Sequence, residues 1–384
     1  AAAVATALLT APRGSLGAER VLLMRHCVRS PFARLRGRGD PAFDFPDNYS
    51  AAPFPPPSEW RAAGEAECTV RGGELAEVFG ASLRPHLPPP VAAVADNVSR
   101  CLETAARVAR GLGAGARLDG TTNSLDPVRR GVCRPLRPDE MAAGVQEMLS
   151  RIEDPGDPYH DAWSRRQELM EELQTLVGHG VAPDITSIAD KVSAHGSYVG
   201  GLHVSAEGFV ENFVLEAGAG LSVAWGRLDG INRTQLYSKW MKLDVLYNRI
   251  NHGGLPLSTR NGPVIWDILR QLGEGTPGTR VVVGHDTNVD AVGALLGLSW
   301  TCGPFLELAV PPMAGLLFES GSGRVSIRAV CATFEGEGSG RVVFGNVTRL
   351  GRDLLQDPVP LRELQADVHG KLNLSCSAPA LVLV

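Results

Sequence analysis

The most informative part of the sequence is Val21-Leu-Leu-Met-Arg-His-Cys-Val-Arg-Ser-Pro31, in which charged residues directly follow four apolar ones. Four consecutive apolar residues bounded by charge are typical of a buried central strand in a parallel sheet. Open α/β sheets bind ligands beyond the carboxyl ends of their strands, which is where Arg25, His26 and Arg29 would lie. Guanidinium groups match phosphate oxygens, and an imidazole can act as a nucleophile near neutral pH. The stretch predicts a phosphate-handling histidine, with an ordinary surface loop as the alternative.

A second apolar run, Thr279-Arg-Val-Val-Val-Gly-His-Asp-Thr-Asn288, supports this hypothesis from far along the chain. It ends in the polar pair His285-Asp286 and continues into the amphipathic stretch 289–298. Two buried strands that each carry a histidine at the carboxyl end bring His26 and His285 together if they are neighbours in one sheet.

These two stretches resemble the marks of the histidine acid phosphatases, an Arg-His-Gly-x-Arg-x-Pro motif and a distant His-Asp pair. The likeness is to the bacterial-type branch, which contains periplasmic phytases and glucose-1-phosphatases, and it covers most of the chain. One position departs from the motif: Cys27 stands where the family has glycine, which allows backbone torsions and close approaches that a side chain impedes. The further matching stretches are 71–75, 96–100, 126–133, 225–227 and 285–288.

The resemblance implies an α/β fold, with a doubly wound, mainly parallel sheet, helices on both faces and an inserted, mainly helical domain. It also implies an acid phosphatase that needs no metal and no organic cofactor. His26 would form a phosphohistidine, and Asp286 would protonate the leaving group, which requires a protonated carboxyl and so favours acidic pH. The groups expected to surround the phosphate oxygens are Arg25, Arg29, Arg100 and His285. The full set expected to bind substrate is Arg25, Arg29, Arg34, Arg100, Arg260, His285, Thr287 and Asn288.

The pair His285-Asp286 also separates this chain from one branch of the larger family. A His-Ala-Glu stretch marks the inositol-polyphosphate phosphatases, and the chain has aspartate as its acid instead. Phytate, sugar phosphates and a broad range of monoesters remain open as substrates. Mutases share the histidine but lack the stretch 285–288. A catalytically weak, phosphoester-binding pseudophosphatase is the alternative from a different class, and Cys27 is the feature that favours it.

Hydrophobic periodicity divides the chain into three parts. Residues 1–18 are predicted to be an export-signal remnant or a disordered tail, and residues 19–132 with 255–384 form the α/β catalytic domain. Residues 133–254 form the helical insertion, because helical spacing dominates there after a boundary rich in proline and arginine. The helices predicted within the insertion are 141–152, 163–177, 206–221 and 234–250. Those predicted around it are helices 72–83, 99–112 and 262–272, strands 91–94 and 280–284, and a hairpin turning at 321–323.

Several arginines outside the two motifs have two open interpretations. Arg34, Arg36 and Arg38 lie in a long loop near Arg29 and either recognise further phosphates or form a solvated basic loop. Arg100 either clamps phosphate, as the resemblance implies, or pairs with a nearby carboxylate. Arg260 aligns only loosely with a substrate-contacting arginine of the phytases.

Composition favours a small phosphorylated partner. The chain has 384 residues, 44% hydrophobic and 21% charged, with a net charge of -5, which argues against nucleic acid. It has no apolar stretch of the roughly 20 residues that span a membrane. The oligomeric state stays open.

Glycosylation sequons and cysteines favour a secreted or lumenal protein, whether lysosomal, vacuolar or periplasmic. Five of the eleven asparagines begin an Asn-x-Ser/Thr sequon, against roughly one in eight by chance. The resemblance pairs Cys133 with Cys376 in a disulfide, and leaves the other five of the seven cysteines without counterparts. No cysteine spacing suits zinc, and Cys27 fails as a nucleophile because Ala33 occupies the position where that chemistry needs arginine. The sequon asparagines are Asn48, Asn97, Asn232, Asn346 and Asn373.

Overall fold

The structure is a computed structural model, and it describes residues 19–30, 67–122, 125, 136–177, 186, 191–193, 196–224, 226, 228, 235–274, 278–334 and 339–372. The strands are β1 (Arg20–Arg25), β2 (Val91–Ala95), β3 (Ala116–Thr121), β4 (Lys191–Ser193), β5 (Gly196–Tyr198), β6 (Thr279–Gly284), β7 (Leu298–Trp300), β8 (Gly315–Gly321), β9 (Arg324–Ala332), β10 (Val342–Gly345), β11 (Val347–Arg349), β12 (Arg352–Asp353) and β13 (Val359–Pro360). The α-helices are α1 (Val70–Leu83), α2 (Ser99–Leu112), α3 (Pro138–Ile152), α4 (His160–Ser164), α5 (Arg166–Val177), α6 (Gly200–His203), α7 (Glu211–Ala219), α8 (Met241–His252), α9 (Leu255–Ser258), α10 (Gly262–Gln271), α11 (Asp286–Leu296) and α12 (Leu361–Leu372). The described residues also include two π-helical segments (Val204–Val210 and Leu236–Trp240) and the 3-10 turn Thr259–Asn261.

One eight-stranded sheet organises the chain, in the order β10-β9-β8-β1-β6-β2-β3, with β13 added beside β9. Strands β1, β6, β2 and β3 run parallel to one another. The hairpin β8–β9 and strand β10 extend the sheet on the other side of β1 in antiparallel fashion. The predicted α/β fold is confirmed, and its parallel half is the part that carries the two motifs.

Strand β1 lies at the centre of the sheet and is covered on both faces. Successive side chains of a strand point to opposite faces, and every residue from Val21 to Arg25 is buried. The four apolar residues of this strand have no exposed surface, which is what their uninterrupted run predicts. At about 1.5 to 3 kcal/mol for each fully buried large apolar side chain, this run is a strong reason for β1 to form the core.

The predicted helices and strands of the parallel half are confirmed with small changes at their ends. Helix α2 packs on β2, β3 and β6, and α11 packs against β1. Helix α1 begins next to the first motif, and its Gly72 is needed there because a Cβ would approach the carbonyl oxygen of Val28 to 2.0 Å. The predicted hairpin is also present, with β8 and β9 joined at Gly321 and Arg324.

The segment between β3 and β6 is helical apart from the short hairpin β4–β5 in the part of it that the structure describes. The predicted helix 163–177 is two helices, α4 and α5, and the predicted helix 206–221 begins as a π-helical segment before it becomes α7. Helices α8 and α9 pack against α11, so this segment reaches the second motif. Its separation as a domain stays a prediction. Within the described ranges, no helix has the length and apolar character needed to cross a membrane.

Candidate active site

Strand register brings the two motif histidines to one edge of the sheet. Arg25 at the end of β1 is paired with Gly284 at the end of β6, so His26 and His285 both follow the last paired residues. Their ring centroids are 5.4 Å apart. Gly284 is required at this point, because a Cβ there would approach the Asn288 side-chain oxygen to 2.4 Å. The predicted convergence of the two histidines is confirmed.

The imidazole of His26 is buried and oriented by its own backbone neighbour. Its Nδ1 lies 2.9 Å from the carbonyl oxygen of Cys27, so Nδ1 carries the proton and Nε2 keeps the lone pair. Burial holds the pKa of His26 well below its usual range, and the positive charges of His285, Arg25 and Arg29 act in the same direction. This direction favours the neutral imidazole, which is the state that a nucleophile needs.

Arg25 and Arg29 share one carboxylate, that of Glu211 at the start of α7. Glu211 pairs with Arg25 and also lies 3.0 Å from Arg29. Arg25 further donates to the carbonyl oxygen of Val310 at 2.7 Å. Burial alone would lower the pKa of Arg25, but the nearby carboxylates of Asp286 and Glu211 raise it. Both guanidiniums are buried and stay charged, as phosphate binding requires.

Arg100 and Asp96 hold His285 from two sides. The Nε2 of His285 lies 2.9 Å from the Asp96 carboxylate, and its Nδ1 lies 3.5 Å from the Arg100 guanidinium. Asp96 follows β2, whose residue Ala95 is paired with Val283 of β6, so it sits at the same edge of the sheet. Burial would raise the pKa of Asp96, but the hydrogen bond from His285 lowers it overall. Arg100 lies in the first turn of α2 and contacts His285. Its role as a phosphate clamp stays a prediction.

Asp286 begins α11 and faces the first motif. Its carboxylate lies 3.1 Å from Arg25 and accepts the backbone N–H of Thr287 at 2.8 Å. Burial would raise its pKa, but Arg25 and His285 lower the pKa of Asp286 overall. A general acid must carry a proton, so this role requires that substrate first weaken the pairing with Arg25. The carboxylate also lies at a helix N-terminus, where the helix dipole favours negative charge.

Asn288, predicted to bind substrate, supports the motif from inside. Its side-chain oxygen accepts the backbone N–H of His285 at 2.8 Å. Its amide donates to the carbonyl oxygen of Leu125 at 3.0 Å and to the Asn261 side chain at 2.6 Å. Asn288 is buried and these hydrogen bonds run within the protein, so its side chain holds the backbone of His285. Its binding of substrate stays a prediction. Thr287 is partly exposed beside Asp286.

Three acidic residues of the site were not predicted from the sequence. Glu211 and Asp244 come from the helical segment, on α7 and α8, and Asp290 lies one turn after Asp286 on α11. Burial and the charge of Glu211 raise the pKa of Asp244 to about 8. Burial, followed by the charges of Asp286 and Asp244, raises the pKa of Asp290 as well. An aspartate inside an otherwise apolar helical face was the available signal for Asp244; Glu211 had none.

Two disulfides are present in the described ranges, Cys27–Cys68 and Cys302–Cys331. The first lies in the active site and the second joins the loop after β7 to β9. Cys101 is a free, buried cysteine beside His285, and burial raises the pKa of its thiol. The resemblance left all five of these cysteines without counterparts, and the structure pairs four of them.

Some predicted residues lie outside the described ranges. They include Arg34 in the long loop, both members of the predicted pair Cys133–Cys376, and the side chain of Arg260, whose backbone lies in the turn before α10. Of the sequon asparagines, Asn97 and Asn346 are described and exposed. The other three, Asn48, Asn232 and Asn373, lie outside the described ranges.

Several solved structures with this fold are phytases. The Hafnia alvei phytase in complex with myo-inositol hexakis sulphate superimposes with a TM-score of 0.72 at 20% identity, covering 95% of this chain and 99% of that one. The phytase of Klebsiella sp ASR1 gives a TM-score of 0.69 at 18% identity, covering 93% and 96% of the two chains. The phytase from Citrobacter braakii gives 0.68 at 18% identity, covering 92% and 97%. No protein-family model and no curated protein matches the chain.

The fold and the similar solved structures identify the fold class of this chain. The chain has the histidine phosphatase fold in the form seen in bacterial phytases, along nearly its whole length. The predicted resemblance is therefore confirmed at the level of the fold, and the activity is argued from the site.

Proposed function

We propose that this protein is a phosphoric monoester hydrolase of the histidine acid phosphatase type, acting through a phosphohistidine on His26. The observation that carries the proposal is the orientation of His26. Its Nδ1–H donates to the Cys27 carbonyl oxygen, so Nε2 is the nucleophilic atom. Buried guanidiniums on the neighbouring positions Arg25 and Arg29 supply the positive charge that a phosphate dianion needs.

The reaction would proceed in two displacements at phosphorus. Nε2 of His26 attacks in line, and the bond from phosphorus to the ester oxygen breaks as the N–P bond forms. Arg25, Arg29 and Arg100 bind the equatorial oxygens and stabilise the charge of the transition state, with His285 beside them. Water then attacks the phosphohistidine: a P–O bond forms as the N–P bond breaks, the Asp286 carboxylate takes up the proton of the water, and phosphate leaves the neutral imidazole.

Asp286 would protonate the departing alkoxide. Bound phosphate would place negative charge near Asp286 and compete for Arg25, and both effects raise the pKa of a carboxyl group. Asp96 has a different role, because its carboxylate fixes which nitrogen of His285 carries the proton. General acid catalysis typically contributes about 10² to 10⁴ in rate, so replacing Asp286 should lower kcat within that range.

The substrate and the location of the protein are part of the same proposal. Phytate, a sugar phosphate or a range of monoesters would fit a site with several arginines, and Arg34 and Arg260 are candidates for additional phosphate contacts. Disulfides form in oxidising compartments, so the pairs Cys27–Cys68 and Cys302–Cys331 support export. The Cys133–Cys376 pair and the five sequons remain candidates for covalent modification.

The proposal is tested by hydrolysis of p-nitrophenyl phosphate at acidic pH with and without chelator. We expect His26→Ala to abolish turnover and to remove the acid-labile phosphoenzyme trapped by rapid quench. His369→Ala, on α12, is the matched control and should keep the activity of the natural protein. Substantial turnover by His26→Ala would contradict the mechanism.

The second candidate is a phosphoester-binding protein with little turnover, which Cys27 favours because glycine occupies this position in the similar motif. It predicts that phosphate and tungstate bind to the natural protein although hydrolysis is slow. A substrate panel that includes phytate and glucose 1-phosphate separates the two candidates, because only the enzyme releases phosphate catalytically.

A further inference from the structure

The residue after the proposed nucleophile is held at three points. The sulfur of Cys27 is bonded to that of Cys68. Its backbone N–H donates to the hydroxyl oxygen of Thr104 at 2.9 Å, and its carbonyl oxygen accepts the Nδ1–H of His26 at 2.9 Å. Cys27 is completely buried. Any movement of this residue therefore moves the hydrogen-bond acceptor that orients the imidazole.

The partner cysteine is joined by backbone hydrogen bonds to the loop that follows His26. Cys68 is paired with Arg29 in an isolated antiparallel bridge, next to a hydrogen bond from the N–H of Thr69 to the Val28 carbonyl oxygen at 3.1 Å. Thr69 caps helix α1 through the N–H of Gly72. The disulfide therefore fastens the loop of the nucleophile to the first turn of α1.

Thr104 connects the same disulfide to the helix that carries Arg100. Its hydroxyl donates to the Arg100 carbonyl oxygen at 2.6 Å and lies 3.6 Å from the sulfur of Cys68. Cys68 and Thr104 thus stand between the loop that carries His26 and the turn of α2 that carries Arg100.

We propose that the Cys27–Cys68 disulfide is a positioning link for His26: it fixes the Cys27 carbonyl group and so the tautomer and ring orientation of the nucleophile. This inference rests on the proposed function, and it explains how a motif with cysteine in place of glycine can remain competent. A disulfide that only stabilises the fold would leave the imidazole where it is once the protein has folded. The link instead makes the rate of the chemical step depend on the covalent bond.

The test compares two disulfides of the same chain. Cys27→Ala/Cys68→Ala removes the proposed link, and Cys302→Ala/Cys331→Ala removes the disulfide at β9 as the matched control. We expect the site variant to lose kcat by about 10- to 100-fold with KM within about threefold of the natural value, because a displacement near 1 Å costs about 10²-fold. The control variant should keep its kcat, although both variants melt at lower temperature. A kcat for the folded site variant within twofold of the natural protein overturns the proposal, as does an equal loss in the control.

A spectroscopic measurement separates this inference from the proposed function. In protein labelled with ¹⁵N-histidine, His26 should show one fixed Nδ1–H tautomer, assigned by its loss in His26→Ala. The site variant should show a mixture of tautomers. An unchanged tautomer in the site variant overturns the proposal even if no phosphatase activity is found, whereas absent activity with a disulfide-dependent tautomer refutes only the function.

A second variant covers the case in which the site variant does not fold. Cys27→Ser/Cys68→Ser keeps side chains of nearly the same size at both positions and removes the covalent bond. The proposal requires a lower kcat with little change in KM for this variant as well. A kcat within twofold of the natural protein would overturn it.

Discussion

The carboxyl group of Asp244 should make the stability of this protein depend on pH. Asp244 lies on α8 and is buried close to Glu211, Asp286 and Arg25. Burial and the negative charges of Glu211 and Asp286 raise its pKa to about 8, although Arg25 acts in the opposite direction. An unfolded chain exposes this group, and its pKa then returns to about 3.9.

The sign of the effect follows from which state holds the proton. Between about pH 4 and pH 8 the folded protein keeps a proton on Asp244 that the unfolded chain releases. Because the folded state binds more protons in this window, the contribution of Asp244 to the free energy of unfolding falls as pH rises. Each pKa unit corresponds to about 1.4 kcal/mol, so the loss across the window is on the order of several kcal/mol.

Asp244→Asn isolates this contribution, because the amide is uncharged at every pH and resembles the protonated carboxyl. We expect the variant and the natural protein to be similarly stable at pH 4, and the variant to be more stable by several kcal/mol at pH 8. The measurement is urea unfolding at several pH values. Asp267→Asn, a partly exposed aspartate on α10, is the matched control and should change the profile little.

Other groups contribute to the same profile, so only the difference between proteins is diagnostic. The lowered pKa of His26 and of Asp96 makes stability fall as pH drops, whereas the raised pKa of Asp290 acts like that of Asp244. The contributions of His26 and Asp96 are common to the natural protein and the variant, whereas that of Asp290 becomes smaller in the variant, because residue 244 no longer carries a negative charge that raises the pKa of Asp290. If the two proteins lose the same free energy of unfolding between pH 4 and pH 8, our account of Asp244 is wrong.

Two further predictions concern the charges around the phosphate site. Asp96→Asn should lower kcat/KM by about 10- to 150-fold, because it removes a charge-assisted hydrogen bond to His285 worth about 1.5 to 3 kcal/mol. Steady-state kinetics at acidic pH measures this loss. A kcat/KM within twofold of the natural value would refute the prediction. Glu211→Gln should bind phosphate about tenfold more tightly, because it removes the negative charge that competes with phosphate for Arg25 and Arg29. Titration calorimetry measures the affinity. Weaker binding would show that Glu211 organises the two arginines instead.

The two histidines of the site could be predicted because the local sequence marks the strand that precedes each of them. Two uninterrupted apolar runs predicted two buried strands, each followed by a histidine, and the histidines meet if these strands are neighbours. Pairing of Arg25 with Gly284 then fixes His26 and His285 at the same level without further information. The first turn of α2, with Arg100, follows in the same way from a buried strand and the helix after it.

The acidic part of the site could not be predicted from local sequence. Glu211 and Asp244 lie on helices of the segment between β3 and β6, and their meeting with Arg25 depends on how that segment packs against α11. The position of Asp244 on an otherwise apolar helical face is a signal of burial but does not say which charged group the carboxylate meets, and Glu211 carries no such signal. The pairing of Cys27 with Cys68 could not be predicted from local sequence either, because many pairings of seven cysteines are compatible with the sequence.

The resting charges of the site bear on how a general acid could work beside an arginine. Arg25 contacts both Glu211 and Asp286, so one guanidinium stabilises two carboxylates and keeps the pKa of Asp286 low. A phosphate dianion that binds Arg25 would weaken these contacts and add negative charge next to Asp286, and its carboxyl group would then take up a proton. Under the proposed mechanism, substrate binding therefore protonates Asp286, and this proton is the one that the leaving group needs. When no phosphate is bound, the Asp286 carboxylate stays ionised beside Arg25. Protonation of the acid is thus coupled to the presence of its substrate.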